Sequence, residues 1–412
     1  MSWRTWSRAH SMAADEISPR VLVRPTPQEV LGGMLVGVLP KGETLNDRFA
    51  AIGPEATPRA TLERIVRNAL ERPPCVVSFS GGRDSSVLLA LAAAVARREG
   101  LPPPIPLTKR YPGSAEADET EWQELVVSHL GLTEWERVEI RSEFDAVGEV
   151  AQRFMRRYGI AFGQLHSCVA TFGLARGGSC IDGEGGDEIF GFRRASPIKR
   201  VLHRTVPIRR KATAKWLFFY LAPYRTRVKN WKMLLSETIE CSRWLRPEAL
   251  ALFLDALATE LASEPLDARK AVWWHLQRRQ IAGLQQNLQT IAEADFDVLH
   301  VQPFLDRDFV ATYARMEGRL GTLGRTDAMR ALFSDLLPDA VLARQSKAFF
   351  NHVYLGAATK EFASRWQGEG VDSRFVDIEA LRSEWQSDWP ATGSCGLLQS
   401  AWLASVGSSP HP

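Results

Sequence analysis

The chain has 412 residues, of which 45% are hydrophobic and 24% charged, and its net charge at pH 7 is +3. This length is enough for two domains, because a single hydrophobic core rarely grows beyond about 250–300 residues. The balanced composition excludes a largely disordered chain and does not favour nucleic acid as a partner. The longest apolar stretches, such as 216–222, are too short to cross a membrane, and residues 1–14 lack the apolar core of a signal peptide. We therefore expect a cytoplasmic protein without a membrane partner.

Five cysteines are scattered along the chain without a Cys-x-x-Cys pair. An odd, dispersed set argues against a disulfide framework and against a structural zinc site. We expect most of these cysteines to be small, buried, apolar residues.

The predicted secondary structure becomes regular only after the first 70 residues. Those residues carry proline, glycine and charges without a sustained period, which indicates a partly disordered N-terminal segment with a short helix at 61–70. Further along, apolar runs alternate with amphipathic stretches that end at glycine, as is typical of strands alternating with helices. The predicted elements are a strand at 75–79, a helix at 85–99, a strand at 105–111, a helix at 117–130, a strand at 135–140, helices at 144–158 and 162–176, and a strand at 179–181.

This alternation predicts an α/β fold, with a parallel, doubly wound sheet that has helices on both faces and binds its ligand at the carboxyl ends of the strands. After about residue 192 the strand signals fade, and stretches such as 271–291 and 328–336 are helical. We therefore divide the chain into an N-terminal segment (1–70), an α/β core (71–195) and a mostly helical C-terminal part (196–412).

A glycine-rich loop, Ser80-Gly81-Gly82-Arg83-Asp84-Ser85, separates the first predicted strand from its helix. Backbone N–H groups and the helix N-terminus point to one place, and the hydroxyls of Ser80, Ser85 and Ser86 add donors, so that the loop can bind a pyrophosphate group. A carboxylate at Asp84 would repel phosphate unless a cation lay between them, which indicates Mg²⁺. The alternative is an ordinary turn between a strand and a helix.

This loop resembles the pyrophosphate-binding loop of the N-type ATP pyrophosphatases, which include asparagine synthetases, NAD and GMP synthetases and tRNA-modifying enzymes. The resemblance implies a protein that binds ATP, adenylates an oxygen atom and releases pyrophosphate. It does not choose among these enzymes. The nucleotide-binding residues that it implies are Ser80, Gly81, Gly82, Asp84, Ser85 and Ser86.

A second motif, DGEGGDEIFG at 182–191, concentrates glycines and acids in one loop. Such a loop is costly unless it meets a metal ion or an amine; the alternative is a solvated acidic turn that opens a helix. The motif is similar to the SGEGxDExFGG motif of the asparagine synthetase family, from which it departs at Asp182, where the family has serine.

The resemblance to asparagine synthetases implies roles for individual residues. Asp84 and Asp187 match the Mg²⁺ ligands, and Gly183 falls in the nucleotide site. Glu184 matches the general base that accepts a proton from the attacking nitrogen, a step that the chemistry requires because an ammonium ion is not a nucleophile.

Two more segments extend the resemblance. Residues 302–306 (QPFLD) are similar to the V-P-F-L-D signature of the family, and residues 337–349 resemble its L-P-x-x-I-x-x-R-x-K-x-x-F segment. Lys347 lies one position after the lysine of that pattern, where this chain has Ser346, and we take it as the counterpart of a catalytic lysine beside the α-phosphate and the acyl centre, where a cation would stabilise the charge that develops in both half-reactions. The alternative is a solvated surface lysine.

Asparagine synthetases normally begin with a glutaminase domain whose nucleophile is a cysteine at position 2. This chain has Ser2 at that position and its first cysteine at Cys75, so we expect no glutaminase domain. The nitrogen would then be free ammonia, an amine substrate, or ammonia from a separate glutaminase partner.

The segment 193–232 is rich in lysine and arginine, with aromatic residues between them. The plainer interpretation is a solvated helical face above a buried aromatic stripe. The first alternative is a docking surface for an acidic partner, such as a carrier protein or a peptide substrate. The second is a nucleic-acid-binding surface, which would fit a tRNA-modifying enzyme.

These features together predict an asparagine synthase-like ligase that uses ATP and Mg²⁺, forms an acyl-adenylate from a small-molecule or peptide carboxylate, and transfers the acyl group to ammonia or an amine. It would act in asparagine biosynthesis or in a natural-product pathway. The alternatives are a tRNA-modifying enzyme of the same superfamily and a non-catalytic, nucleotide-binding scaffold.

Overall fold

A computed structural model describes residues 22–39, 42–112, 114–205, 211–346, 348 and 350–407. Residues 1–21 of the N-terminal segment that was predicted to be partly disordered lie outside these ranges. None of the helices in these parts of the chain is long and apolar enough to span a membrane.

A parallel sheet forms the centre of the α/β part, and within the described residues it has five strands in the order β3-β2-β1-β4-β5. The strands are β1 (Cys75–Ser78), β2 (Ile105–Arg110), β3 (Glu136–Glu139), β4 (Ser179–Ile181) and β5 (Leu299–Val301). Val76 pairs in register with Ile105 of β2 and with Cys180 of β4, and Cys180 pairs with His300 of β5. The predicted parallel sheet is therefore confirmed.

The remaining regular structure of the described chain is helical. The helices before β4 are α1 (Pro27–Gly32), α2 (Leu45–Ile52), α3 (Pro58–Leu70), α4 (Arg83–Glu99), α5 (Thr120–Leu130), α6 (Glu149–Tyr158) and α7 (Val169–Leu174). Between β4 and β5 they are α8 (Gly186–Ile189), α9 (Ser196–Leu202), α10 (Lys211–Leu221), α11 (Tyr224–Thr238), α12 (Pro247–Ala262), α13 (Ala268–Gln277) and α14 (Arg279–Phe296). After β5 they are α15 (Arg307–Glu317), α16 (Arg325–Phe333), α17 (Asp339–Leu342), α18 (Asn351–Tyr354), α19 (Ala357–Arg365), α20 (Ile378–Gln386) and α21 (Cys395–Gly407).

Helices cover both faces of the sheet at its central strand, β1. Neighbouring residues of this strand point to opposite sides and therefore enter different cores. Val77 packs into a core with α3, α4 and α15, whereas Val76 packs into a second core with α6, α7 and α14. A third core, built around Trp244, Trp385 and Trp402, joins the C-terminal helices to α12. The layered arrangement confirms the predicted doubly wound α/β class.

Several predicted boundaries differ from the structure. The stretch 271–291 is two helices rather than one, because Arg278 adopts an extended backbone between α13 and α14. The strand signals were expected to end near residue 192, but the three residues of β5 complete the sheet. The first part of predicted helix 144–158 is a turn, since α6 begins at Glu149. All five cysteines are buried, as predicted.

The strand order reverses direction between β1 and β4. Beyond β1 the chain adds β2 and then β3 on one side, and it places β4 and β5 on the other. In open α/β sheets a crevice forms outside the carboxyl ends of the strands at such a switch point. The glycine-rich loop follows β1 and the acidic motif follows β4, so both open into this crevice.

Candidate active site

The loop between β1 and α4 is a compact turn stabilised by its own serines. Ser80 N donates to Ser85 Oγ at 3.2 Å, Ser85 Oγ donates to the Gly82 carbonyl at 3.2 Å, and Gly82 N donates to Ser80 Oγ at 3.2 Å. Gly82 caps α4 without a side-chain hydrogen bond, so the first N–H groups of this helix remain for a ligand. Ser86 lies beneath the loop and is fully buried, and its hydroxyl has no hydrogen-bond partner among the described residues.

The loops after β1 and β4 meet in a cleft of about 360 Å³. This volume falls within the roughly 300–1,000 Å³ of small-molecule sites. The cleft brings together most of the side chains and glycines singled out from the sequence, namely Ser80, Gly82, Asp84, Ser85, Gly183, Glu184 and Asp187.

Asp84 packs directly against the acidic loop, which explains two of that loop's glycines. A Cβ atom on Gly186 would lie 2.3 Å from the carboxyl carbon of Asp84, and one on Gly183 would lie 3.2 Å from Asp84 Cβ. Any side chain at position 186 would therefore displace the Asp84 carboxylate. The two motifs thus fit together around one aspartate.

Arg325, at the start of α16, joins the two predicted metal ligands. Its guanidinium forms ion pairs with the carboxylates of Asp84 and Asp187, which come from different loops. Asp84 Oδ1 is buried and has no hydrogen-bond partner among the described residues. The two carboxylates therefore converge on one point, and a cationic group of the protein lies there.

The residues at this point fit a bound Mg²⁺ ion. Within the described parts of the chain no three or more His, Cys, Asp or Glu side chains are grouped as metal ligands. Mg²⁺ does not require such a group, because it usually binds one or two carboxylates and completes its coordination with phosphate oxygens and water. The free oxygen of Asp84 and the convergence on Asp187 supply that donor set.

Glu184 lines the same cleft. The pKa of Glu184 is raised to about 8. The largest cause is burial of the carboxyl group among protein atoms, and the negative charges of neighbouring carboxylates raise the pKa further. The contributing acids are Asp182, Glu188, Asp187 and Asp84. A carboxyl group with this pKa gains and loses a proton near neutral pH, as a general base must.

Asp182, the residue that departs from the family pattern, has its own set of partners. Its Oδ2 lies 2.5 Å from His300 Nε2 and accepts a longer hydrogen bond, of 3.4 Å, from Gln302 Nε2. Its Oδ1 accepts a hydrogen bond from the backbone N–H of Glu184 at 3.0 Å. Because His300 is buried on β5, the carboxylate of Asp182 ties the Glu184 loop to the neighbouring strand.

Arg344 anchors the segment that carries the predicted catalytic lysine. Its guanidinium is buried, donates to the Gly81 carbonyl at 2.9 Å and pairs with the carboxylate of Glu119. Its Nε donates to Ser346 Oγ at 2.8 Å. Lys347 lies outside the described residues, so its role stays a prediction. Its neighbours 346 and 348 line the cleft.

Lys109, at the end of β2, lines a separate pocket and interacts electrostatically with two acids of the loop after β4. Lys109 stacks over the ring of Phe144 at 5.2 Å from its centroid. Burial lowers the pKa of Lys109, while Asp182 and Glu184 act in the opposite direction. The neighbouring Tyr111 packs on Phe350 at 5.2 Å between ring centroids.

The comparison with known protein families agrees with this geometry. The family model described as asparagine synthase matches residues 58–402, which is most of the chain. The chain belongs to the asparagine synthase family. No curated protein matches the chain in a direct search. Membership supports an ATP-dependent ligase with the α/β fold of the synthetase domain.

Three residues in or beside the cleft could not be identified from the sequence as functional. Arg325 and His300 belong to no motif, and each is more than one hundred residues from the aspartate that it contacts. Arg344 stands in the segment that resembles the family pattern, yet nothing in that pattern indicates its contact with the glycine-rich loop.

Proposed function

We propose that this asparagine synthase family member is a ligase that adenylates a substrate carboxylate and transfers the acyl group to ammonia or an amine. The observation that carries this proposal is the convergence of Asp84 and Asp187 on one cation position at the switch point, with Glu184 in the same cleft. This arrangement provides separate groups for the two half-reactions. The division of the chain at 70 and 195 stays a prediction.

The first half-reaction forms the acyl-adenylate. An oxygen of the substrate carboxylate attacks the α-phosphorus of ATP, the bond to the β-phosphate breaks, and pyrophosphate leaves. The N–H groups at the start of α4 and the hydroxyls of Ser80 and Ser85 bind the phosphate oxygens. Asp84 and Asp187 would hold Mg²⁺, which neutralises phosphate charge when bound.

The second half-reaction forms the amide. The nitrogen attacks the acyl carbon, AMP leaves, and the nitrogen loses a proton to the carboxylate of Glu184. The carboxylate of Asp182 positions this base through the Glu184 N–H group. Lys347, as the resemblance implies, would stabilise charge on the phosphate and acyl oxygens.

Arg325 pairs with Asp84 and Asp187 in the nucleotide-free protein, and these ion pairs would be lost if the two carboxylates held Mg²⁺. The guanidinium compensates two carboxylates that would otherwise repel each other. If Asp84 and Asp187 held Mg²⁺, Arg325 would lose these two partners, and its guanidinium would be available to pair with phosphate oxygens. We therefore assign to Arg325 the role of a counter-ion that is exchanged on nucleotide binding.

Exchange of labelled pyrophosphate into ATP tests the proposal. A panel of small carboxylic acids and peptides is supplied one at a time with Mg²⁺ and ATP. Pyrophosphate exchange that depends on at least one acid supports the proposal. If that acid is aspartate, the reaction is asparagine synthesis. ATP binding without exchange for any acid would instead make the protein a nucleotide-binding scaffold.

A further inference from the structure

The basic segment contains three helices, α9, α10 and α11, and the exposed charges of α10 and α11 do not line the cleft. Residues 189–236 contain thirteen lysines and arginines and no aspartate or glutamate. The whole chain has 51 Lys and Arg against 48 Asp and Glu, so the rest of the chain has 38 against 48 and is net negative by ten. The positive charge is therefore confined to one region.

Helices α10 and α11 present the same pattern to solvent. On α10, Lys211 and Lys215 are followed after one turn by Phe218, and all three are exposed. On α11, Arg225 and Lys229 are followed by Met233, again all exposed. Residues three, four and seven or eight apart share one side of a helix. We call these six residues the cationic face.

The apolar members of the cationic face are exposed to a degree that is costly for a free surface. Phe218 is 65% exposed and Met233 is 63% exposed. The four cations of the face form no ion pair with any described residue, whereas Lys232 on the same helix pairs with Asp255. Exposed apolar side chains among unpaired cations are typical of an interaction site.

The helices beneath this face are held rigidly. Phe219 of α10 packs on Trp231 of α11 at 5.0 Å between ring centroids. The buried guanidinium of Arg227 donates to the Ala222 carbonyl at 2.6 Å and to the Ala262 carbonyl at 2.7 Å, which fixes both helices against α12. The cationic face is therefore a preformed surface.

A hydrogen bond and an aromatic contact join the basic segment to chain segments that lead into the cleft. Arg200 of α9 donates to the Leu323 carbonyl at 3.1 Å, two residues before Arg325. Phe192, which ends the acidic loop, packs on Trp216 of α10 at 6.3 Å. Helices α9 and α10 therefore pack against segments that lead into the two sides of the active site.

We propose that the cationic face docks an acidic, partly apolar segment of a polypeptide substrate whose carboxylate is activated in the cleft. Carboxylates of the segment pair with Lys211, Lys215, Arg225 and Lys229, and its apolar side chains cover Phe218 and Met233. The four cations and two apolar side chains are confined to two helices, and an extended segment that carries both carboxylates and apolar side chains matches them in charge and polarity. The identity of the docked polypeptide as substrate rests on the proposed ligase function; docking itself does not.

Direct binding of a labelled peptide tests the docking surface. The probe is a fluorescein-labelled peptide of alternating glutamate and leucine or phenylalanine, and its control has glutamine in place of glutamate. We expect the full-length protein to bind the glutamate peptide at low salt, with affinity that falls as salt is added. Equal binding of the glutamine peptide would contradict the proposal.

A matched pair of fourfold charge reversals locates the binding. Lys211, Lys215, Arg225 and Lys229 are changed to glutamate in one variant, and the exposed residues Arg153, Lys270, Lys360 and Arg365 in the other. The first variant should weaken peptide binding at least about tenfold, and the second less than about twofold. Since both variants change the net charge equally, a difference between them shows where on the protein the peptide binds. Equal losses would overturn the assignment, as would retained binding in the first variant.

Two further measurements separate the alternatives. Tighter binding of phosphatidylserine vesicles than of the glutamate peptide would replace the polypeptide by a membrane and overturn the proposal. Circular dichroism confirms that the variants fold, and the double change Phe218→Ser and Met233→Ser should weaken peptide binding without altering charge. Peptide binding without pyrophosphate exchange contradicts the ligase function alone, whereas exchange without peptide binding contradicts the docking surface alone.

Discussion

The cleft and the cationic face both concentrate charge, but they compensate it differently. In the cleft, the carboxylate of Asp84 pairs with Arg325, and the guanidinium of Arg344 pairs with Glu119. On the cationic face, the four cations have no ion-pair partner among the described residues. Paired charges inside a cleft position and tune the groups that react, whereas unpaired charges at a surface attract a ligand of opposite charge. Changes in the cleft should therefore abolish or alter catalysis, and changes on the face should alter binding alone.

The largest effect is expected for Asp84→Asn. This change removes one of the two carboxylates at the cation position and leaves the rest of the loop in place. Pyrophosphate exchange should fall by at least about 10²-fold, since loss of a group that stabilises transition-state charge typically costs that much. Asp388→Asn, at an aspartate whose side chain is 93% exposed, is the matched control and should leave exchange unchanged. Equal exchange activity of the two variants would mean that Asp84 is not part of the active site.

The next largest effect is expected for Glu184→Gln, and it should be confined to one half-reaction. Pyrophosphate exchange should persist, while amide formation falls about 10²–10⁴-fold because the general base is lost. Loss of exchange in this variant would mean that Glu184 acts in adenylation.

The pH dependence of the wild-type protein gives a second readout for Glu184. The pKa of this group is raised to about 8, so its carboxylate form is scarce below that pH and accumulates above it. Amide formation should therefore rise with pH and level off above about pH 8, and Glu184→Gln should lose this rise. Asp182, Asp187, Asp84, Glu188 and Lys109 face the same group, so the profile reports their combined field.

A smaller effect, on binding, is expected for Arg325→Ala. Without its guanidinium, Asp84 and Asp187 lose the cation that pairs with both of them, so the affinity for Mn²⁺ in the absence of nucleotide should rise, by about tenfold. The KM for ATP should rise as well, because a cation beside the phosphates is lost. Arg330→Ala, on the same helix, removes an exposed pair with Asp339 and should change neither value. Unchanged Mn²⁺ affinity in Arg325→Ala would contradict the exchange of counter-ions.

The smallest effect is expected for Asp182→Ser, which restores the residue usual in the family. The buried His300 loses its partner, which should lower the free energy of unfolding by about 1–3 kcal/mol. Asp335→Ser, at an exposed aspartate that pairs with Arg59, should cost less than about 1 kcal/mol. Urea titration of both variants measures the difference. Equal costs would mean that His300 does not depend on Asp182.

The sequence predicts those parts of the cleft that are local in the chain. Asp84 and Glu184 stand within short glycine-rich loops, and the position of a loop after a strand follows from the alternation of elements. The contacts of Arg325 could not be predicted, because they depend on how α16 packs 138 residues beyond Asp187. Strand β5 was missed for a related reason, since three residues are too few to show a period. The break at Arg278 was missed because a single extended residue does not interrupt the apolar pattern.

The most direct test of the central claim follows the oxygen atoms of the substrate. An acid that supports pyrophosphate exchange is labelled with ¹⁸O in its carboxylate and incubated with ATP, Mg²⁺ and an amine. Attack of the carboxylate on the α-phosphorus, followed by aminolysis, leaves one ¹⁸O atom in AMP, which mass spectrometry detects. We expect labelled AMP from the wild-type protein and at least about 10²-fold slower formation of it by Asp84→Asn. Label in inorganic phosphate, with ADP as the other product, would contradict our account, because the acid would then be activated as an acyl phosphate.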